Sequence, residues 1–193
     1  MPADAIQIIR EEHAALAAML RSLGMLIQRG PGDKPHRFFE TIRWMLFYVD
    51  EFPEKHHHRN ESKYLFPAIL KNAPDLRPVV DRLEAEHANG ERRVRDLQHL
   101  LMAWEILGDS RREAFVSAFD TYLRFYLEHM QIEEKQLLPL ARRAMAQEEQ
   151  AALDASFAGQ RDPLAGGTHA PEFEALFSRI VQQAPAPIGL ADE

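Results

Sequence analysis

Two stretches of this chain repeat the same pattern 72 residues apart. The first, HHRNESKYLFP, begins at His57, and the second, HMQIEEKQLLP, begins at His129. In each, a Glu follows the His by four positions, and Lys, Leu and Pro then occupy matching places. Because residues i and i+4 share a helix face, His57 lies beside Glu61 and His129 lies beside Glu133. An imidazole next to a carboxylate is half of a metal site, so the repeat predicts one site with near-twofold symmetry.

A single histidine repeats at a similar interval. REEH ends at His13, and EAEH ends at His87, 74 residues later. Each of these histidines fills one place in a helical series of otherwise apolar residues, with Ile9 and Leu16 flanking His13. We therefore expect both histidines to face the protein interior, together with the two His and Glu pairs.

The hydrophobic periodicity predicts an all-α fold. Four amphipathic helices of about 20 to 35 residues with short links are typical of an antiparallel up-down-up-down four-helix bundle. Asp4 is expected to cap the first helix and Gly30 to end it, the second helix begins near Pro35, and Asp109 and Ser110 open the fourth. We expect a bundle over residues 1–146 and an appended C-terminal extension over 147–193, with a short helix EFEALFSRIVQQ and a flexible tail APAPIGLADE.

Composition excludes several classes of function. The formal net charge of −7 argues against nonspecific nucleic-acid binding, which needs clustered Lys and Arg. The absence of cysteine excludes disulfides, thiolate zinc sites and iron-sulfur clusters, so a metal here must be held by nitrogen and oxygen atoms. No apolar stretch approaches the roughly 18 residues of a membrane span, and no signal peptide is visible, so we expect a cytoplasmic protein without a membrane partner.

Six polar residues on inward helix faces need a shared partner: His13, His57, Glu61, His87, His129 and Glu133. An unpaired buried polar group costs roughly 1 to 3 kcal/mol, and an unpaired carboxylate costs more. Imidazole and carboxylate together suit iron, manganese or zinc. If each Glu bridges, each of two ions receives two His nitrogens and two carboxylate oxygens, and a bridging oxide or hydroxide leaves one position open for a diatomic molecule. One ion with a second, weaker site is the alternative.

This order of motifs resembles the hemerythrin-like family, also called the HHE cation-binding domain. The resemblance covers roughly residues 4 to 145: a His, an HxxxE with LFP, a His, and an HxxxE with LLP. It implies an antiparallel four-helix bundle around a non-haem diiron centre of two Fe ions, oxo- or hydroxo-bridged. Carried over residue by residue, the ligands are His13, His57, Glu61, His87, His129 and Glu133, and the two glutamates bridge.

The chain departs from two branches of that family. Oxygen-carrying hemerythrins have a second histidine one turn after that of the third helix, and this chain has Glu91 there. The diiron proteins linked to repair of damaged iron-sulfur clusters share four His and two Glu, but they usually carry an N-terminal segment with cysteine, which is missing here. Whether Glu91 binds metal, hydrogen-bonds to the site or does neither is left open.

Several residues near the motifs have competing interpretations. Helical spacing from Val49 leads to His56, whereas the repeat leads to His57, and Pro53 can change the helix phase by kinking the chain. We favour His57 and expect His56 and His58 to face solvent or support the ligands. His36, His99 and His169 are expected at the surface.

Tyr122 and Tyr126 either pack in the core or hydrogen-bond to a bound ligand. Gly90 either leaves room for a small ligand or allows close helix packing.

The predicted function is that of a cytoplasmic diiron protein that binds or reduces a small oxidant, namely dioxygen, peroxide or nitric oxide. The protein supplies geometry, a dry cavity and tuning of the metal by surrounding residues. A noncatalytic module that senses or stores iron or oxygen and acts through a partner is the alternative. A zinc hydrolase is the third hypothesis, with Glu91 or Glu134 as its general base. The physiological ligand, the electron donor and the oligomeric state are not indicated.

Overall fold

The computed structural model describes residues 4–159, 161–165 and 171–184. Across these residues the chain is helical and contains no β-strand, which confirms the predicted all-α class. None of the helices described is long and apolar enough to cross a membrane.

The first long helix begins and ends at the residues that the sequence marks, and the third also ends at a glycine. Helix α1 spans Ala5–Arg29, and the Asp4 side chain accepts a hydrogen bond from the Ile6 amide at its start. Helix α5 spans Arg77–Leu107. The glycines that follow them, Gly30 and Gly108, have φ of 75° and 82°. Glycine adopts these positive φ values without steric cost, which is why it commonly ends helices.

The second helical region is one long path with changes of winding. Its parts are α2 (Pro35–Val49), a first π-helical segment (Asp50–His57), α3 (His58–Asn60), a second π-helical segment (Glu61–Leu65) and α4 (Phe66–Asn72). The His58 amide donates to the Pro53 carbonyl, five residues back. Hydrogen bonds of this i to i+5 type put more residues into each turn, so the helix phase shifts. His57 is buried as a result, whereas His56 is partly exposed.

The fourth long helix, α6 (Arg112–Ile132), starts slightly later than predicted. Asp109 and Ser110 lie in a 3₁₀ turn, Asp109–Arg111, and the Asp109 carboxylate accepts from the Trp104 indole N–H rather than capping α6. The helical path then continues through a third π-helical segment, Glu133–Leu137, into α7, Leu138–Ala144.

The long helices pack side by side: α1 contacts α2 and α6, and α5 contacts the same two helices. Their apolar side chains form two core clusters at different levels along the helices. Leu16 and Leu20 belong to one cluster, and Ile6 and Ile9 belong to the other. His13 falls between these levels, so the polar residues of interest lie between two apolar layers.

The C-terminal extension contains more helix than the sequence indicates. Helix α8, Gln147–Gly159, had no clear sequence signal, and it packs on α1 with Leu153 and Phe157 buried. A 3₁₀ turn, Pro163–Ala165, follows, and α9, Pro171–Gln183, covers the predicted short helix and packs on α2. The predicted flexible tail lies almost wholly outside the described residues.

Candidate metal centre

The structure brings the six predicted side chains together, from every long helical path. His13 lies on α1, His87 on α5 and His129 on α6, while His57 ends the first π-helical segment. Glu61 and Glu133 are the first residues of the second and third π-helical segments. All six are buried, and the two glutamates are fully so, at 0 % exposure.

The four histidines form two pairs. The Nε2 atoms of His13 and His57 are 3.1 Å apart, and those of His87 and His129 are also 3.1 Å apart. In each pair the two nitrogens that face each other come from different helices. Two ring nitrogens converging in this way are the arrangement that a shared metal ion requires.

The two glutamates lie between the pairs, and each divides its oxygens between them. Oε1 of Glu61 is 3.2 Å from Nε2 of His57, and its Oε2 is 3.5 Å from Nε2 of His87. For Glu133, Oε2 is 3.3 Å from Nε2 of His13 and Oε1 is 3.2 Å from Nε2 of His129. Each histidine pair therefore meets one oxygen from each carboxylate.

Among the residues that the structure describes, the carboxylate oxygens have no other partner. All four oxygens of Glu61 and Glu133 are buried, and none makes a hydrogen bond of acceptable geometry. A buried carboxylate in this state is costly unless a cation neutralises it. Ligand atoms of His13, His57 and Glu61 lie within 4.8 Å of one another, which is close enough for one ion. A donor set of imidazole and carboxylate fits iron, manganese or zinc, so these residues fit the cation that the sequence predicts.

Two glutamates outside the predicted set accept hydrogen bonds from the Nδ1 atoms of two of the histidines, on the side away from the centre. Nδ1 of His57 donates to Glu12 at 2.7 Å, and Nδ1 of His129 donates to Glu86 at 2.8 Å. Metal-binding histidines almost always have their second nitrogen held in this way, which sets the tautomer and the ring orientation. A signal was present, because Glu12 and Glu86 directly precede the seam histidines in REEH and EAEH.

The Nδ1 atoms of the other two histidines contact the residues that directly follow Glu133 and Glu61 in the sequence. Nδ1 of His13 donates to Glu134 at 3.1 Å. Nδ1 of His87 lies 3.2 Å from the hydroxyl of Ser62, and this hydroxyl donates to Glu84 at 2.8 Å. The near-twofold symmetry thus extends to the surrounding residues, with Ser62 and Glu84 together taking the place of Glu134.

Burial and the central charges move the histidine pKa values in opposite directions. Burial alone would lower the pKa of His129, but the Glu133 carboxylate outweighs it and raises the pKa to about 10. Burial lowers the pKa of His87 to about 4, and the nearby His58 adds to that effect. A proton on His129 partly neutralises Glu133, so a metal ion must displace this proton, and binding should weaken at low pH.

Of the two positions predicted for His58, facing solvent or supporting the ligands, the structure excludes the first. It is buried, its ring stacks on His87 with centroids 4.0 Å apart, and its Nδ1 donates to Glu54 at 3.1 Å. Glu54 is itself buried and accepts hydrogen bonds from the hydroxyls of Tyr122 and Tyr126. Burial raises the pKa of Glu54 to about 7, although the two tyrosine hydroxyls oppose that rise. The tyrosines therefore hold Glu54 rather than only packing in the core.

Gly90 makes room for that carboxylate, which is neither of its predicted roles. A Cβ at position 90 would lie 2.7 Å from both carboxylate oxygens of Glu54 and 2.7 Å from the hydroxyl of Tyr126. Such distances are well inside van der Waals contact. The space beside Gly90 is thus occupied by a buried polar network and is not free for a small ligand.

Gly90→Ala is expected to lower the free energy of unfolding by about 1 to 5 kcal/mol. Alanine gains roughly 1 kcal/mol of helix propensity, but displacing Glu54 leaves buried hydroxyls unpaired at roughly 1 to 3 kcal/mol each. Gly24→Ala is the matched control, because its Cβ would meet only the Phe119 ring at 3.4 Å, so it should stabilise the protein. Urea denaturation measures both variants. A Gly90→Ala protein at least as stable as the parent would contradict this assignment.

Other candidate residues lie away from the centre. Glu91 pairs with Arg95 at 3.1 Å and its side chain is 44 % exposed, so it points away from the ligand atoms. His56 packs on Phe52, and His36 and His99 are exposed. His169 lies outside the described residues.

Comparison with known proteins gives one match. The family described as "Hemerythrin HHE cation binding domain" matches residues 4–141. This confirms the resemblance predicted from the repeated motifs. Neither the curated proteins nor the solved structures give a match.

Proposed function

The chain belongs to the hemerythrin HHE cation-binding family, and from that premise we propose that it holds two iron ions and uses them to bind or reduce a small oxidant. Dioxygen, peroxide and nitric oxide are the oxidants considered. In this proposal His13 and His57 hold one ion, His87 and His129 hold the other, and Glu61 and Glu133 bridge them.

The proposal includes an antiparallel up-down-up-down four-helix bundle. Each long helical path packs against two others, and the links after Gly30 and Gly108 are short. Short links between consecutive helices favour antiparallel neighbours, and the interior of such a bundle is a common place for metal sites. We propose residues 147–193 as an extension packed on this bundle.

The observation that carries the two-ion proposal is the division of carboxylate oxygens between the histidine pairs. A single ion would leave one pair of imidazoles and one oxygen of each glutamate unused in a dry interior. The donor set without thiolate fits iron, manganese or zinc, and we propose iron among these because the chain belongs to this family. When bound, an iron pair supplies electrons to an oxidant or accepts them back.

The protein's own residues orient the ligands and limit access to them. Glu12, Glu86 and Glu134 hold imidazole Nδ1 atoms, and the apolar layers on either side keep water from the carboxylates. A small cavity beside His13 and His57 is lined by the apolar Leu16, Pro53 and Met130 and by the polar Glu12, His58 and Asp162. Its volume of about 10 Å³ is roughly that of one water molecule, so it has no room for an organic substrate.

A second candidate function, a noncatalytic sensor or store of iron or oxygen, rests on a contact with the C-terminal extension. Oε1 of Glu12 accepts from the Asp162 amide at 2.7 Å, while the other oxygen of the same carboxylate accepts from His57. Phe157 packs edge-on against the His57 ring with centroids 5.6 Å apart. A change in the metal centre would be transmitted through these contacts to the C-terminal extension. The extension would then transmit it to a partner.

Metal content with an optical spectrum tests the proposal directly. Aerobically purified protein is expected to hold about two irons per chain and to show near-ultraviolet absorption from an oxo bridge, because four imidazoles and two bridging carboxylates suit two ferric ions. Purified protein containing only zinc, or no metal after loading with iron, would contradict it.

Stopped-flow mixing of the reduced protein with dioxygen separates the two candidate functions. Irreversible reoxidation supports reduction of an oxidant. Reversible binding supports a carrier or a sensor, and no reaction with the iron retained supports a store.

A further inference from the structure

His58 is a buried histidine that the six-ligand centre leaves without a role. It directly follows His57, yet its ring lies with the opposite histidine pair. The ring stacks on His87, and its centroid is 5.5 Å from that of His129. His57 instead faces His13. Two consecutive residues of one helical path thus reach toward different halves of the centre.

The change of winding at this point explains how both side chains become buried. His57 ends the first π-helical segment and His58 begins α3. In a regular amphipathic α-helix, consecutive residues are about 100° apart, so one of two neighbours usually turns toward solvent. Here His57 is 6 % exposed and His58 is 5 % exposed. π-helical turns are rare, and they are frequently found at functional sites.

The position of a His58 nitrogen meets the geometric condition for a ligand. Ligand atoms of His58, Glu61, His87 and His129 all lie within 4.8 Å of one another. Nδ1 of His58 is taken up by the hydrogen bond to Glu54, so Nε2 is the nitrogen left to face a cation.

The support behind His58 matches the support behind the other four histidines. Each of those rings has Nδ1 held by a carboxylate or a hydroxyl while Nε2 faces the centre. For His58 the holding group is Glu54, which Tyr122 and Tyr126 fix in turn. A carboxylate that orients an imidazole in this way is typical of metal-binding histidines.

We infer that His58 is the third histidine ligand of the ion held by His87 and His129. This inference rests on the proposed two-ion centre and refines it. One ion then has three imidazoles and two carboxylate oxygens, and the other has only His13, His57 and two carboxylate oxygens. The centre is therefore asymmetric, although the sequence repeat is nearly symmetric.

A count of bound imidazoles in cobalt(II)-loaded protein tests the inference without measuring activity. In proton NMR spectra, each histidine bound through Nε2 to high-spin cobalt(II) gives a strongly shifted Nδ1–H resonance that exchanges with solvent. The full chain is expected to show one for each of His13, His57, His58, His87 and His129, five in all. Four resonances with two cobalt ions bound would overturn the role of His58.

His58→Ala identifies the fifth resonance, and His56→Ala is the matched control from the adjacent position. The His58 variant should lose one shifted resonance and bind one of its two cobalt ions at least about tenfold more weakly, since even loss of a supporting residue commonly costs 10- to 100-fold. Added imidazole should restore the lost resonance by filling the vacated space. The His56 variant should retain all five. An unchanged His58→Ala spectrum would overturn the inference.

Failure of this inference is distinguishable from failure of the two-ion proposal. If the full chain binds no cobalt, or one ion only, the two-ion centre itself is wrong. If it binds two ions and shows four resonances, the centre stands and His58 is a buried neighbour of it. The count on the unaltered chain also keeps the test valid if His58→Ala does not fold.

Discussion

Glu133→Ala is expected to empty both metal positions rather than one. Its two oxygens lie 3.3 Å from Nε2 of His13 and 3.2 Å from Nε2 of His129, so one substitution removes a ligand atom from each ion. Loss of a residue that merely supports a ligand commonly lowers metal affinity 10- to 100-fold, so we expect more than about 100-fold for each ion here. Metal content of the desalted protein and calorimetric titration with iron(II) measure this loss.

Three comparisons sharpen the experiment. Glu61→Ala should behave like Glu133→Ala, because it also divides its oxygens between the pairs. His57→Ala should weaken chiefly one ion, since its Nε2 faces only His13 and one glutamate oxygen. Glu128→Ala removes an exposed carboxylate on α6 that pairs with Arg82, and it should retain both ions. A Glu133→Ala protein that keeps one ion at full affinity would rule out a bridging role.

Removal of the metal is expected to lower the melting temperature by roughly 8 to 16 °C. A ligand present at about 1,000 times its dissociation constant stabilises the folded state by roughly 4 kcal/mol, and 1 kcal/mol corresponds to about 2–4 °C in a chain of this size. Without the cation, the buried carboxylates of Glu61 and Glu133 have only imidazole protons to offset their charge. Thermal unfolding before and after treatment with bipyridyl under reducing conditions measures the change.

The control for this prediction is a protein that has no metal to lose. A Glu61→Gln, Glu133→Gln double variant should unfold at the same temperature with and without the chelator, because its bridging charges are gone. Equal melting temperatures for the iron-loaded and the chelated parent protein would show that the protein does not depend on a bound cation for its stability.

The six central residues could be predicted because their relationships are local in sequence. A spacing of four residues places His57 beside Glu61, and His129 beside Glu133, on any helix. The apolar residues that flank His13 and His87 in sequence indicate which face of each helix is buried. The structure brings these side chains together, and their binding of iron stays a prediction.

The missed residues depend on relationships that are not local. Glu12 holds His57 from another helix, and the symmetric pair formed by Glu86 and His129 also joins two helices. Helix α8 had no clear amphipathic pattern, and its Leu153 and Phe157 become buried because α1 offers an apolar surface. The repeated Glu before His13 and before His87 marks two of these positions, but no spacing along the chain shows which residue on another helix each one contacts.

The sequence by itself determined the helical class, the family and six residues that meet at the candidate centre, because these follow from periodicity and from repeated short spacings. Only the tertiary structure decided that His58 is buried beside His87 and that Glu54 and not a ligand fills the space at Gly90. The physical reason is that π-helical turns shift the helix phase by one residue, and that shift appears only when backbone hydrogen bonds and packing are satisfied together.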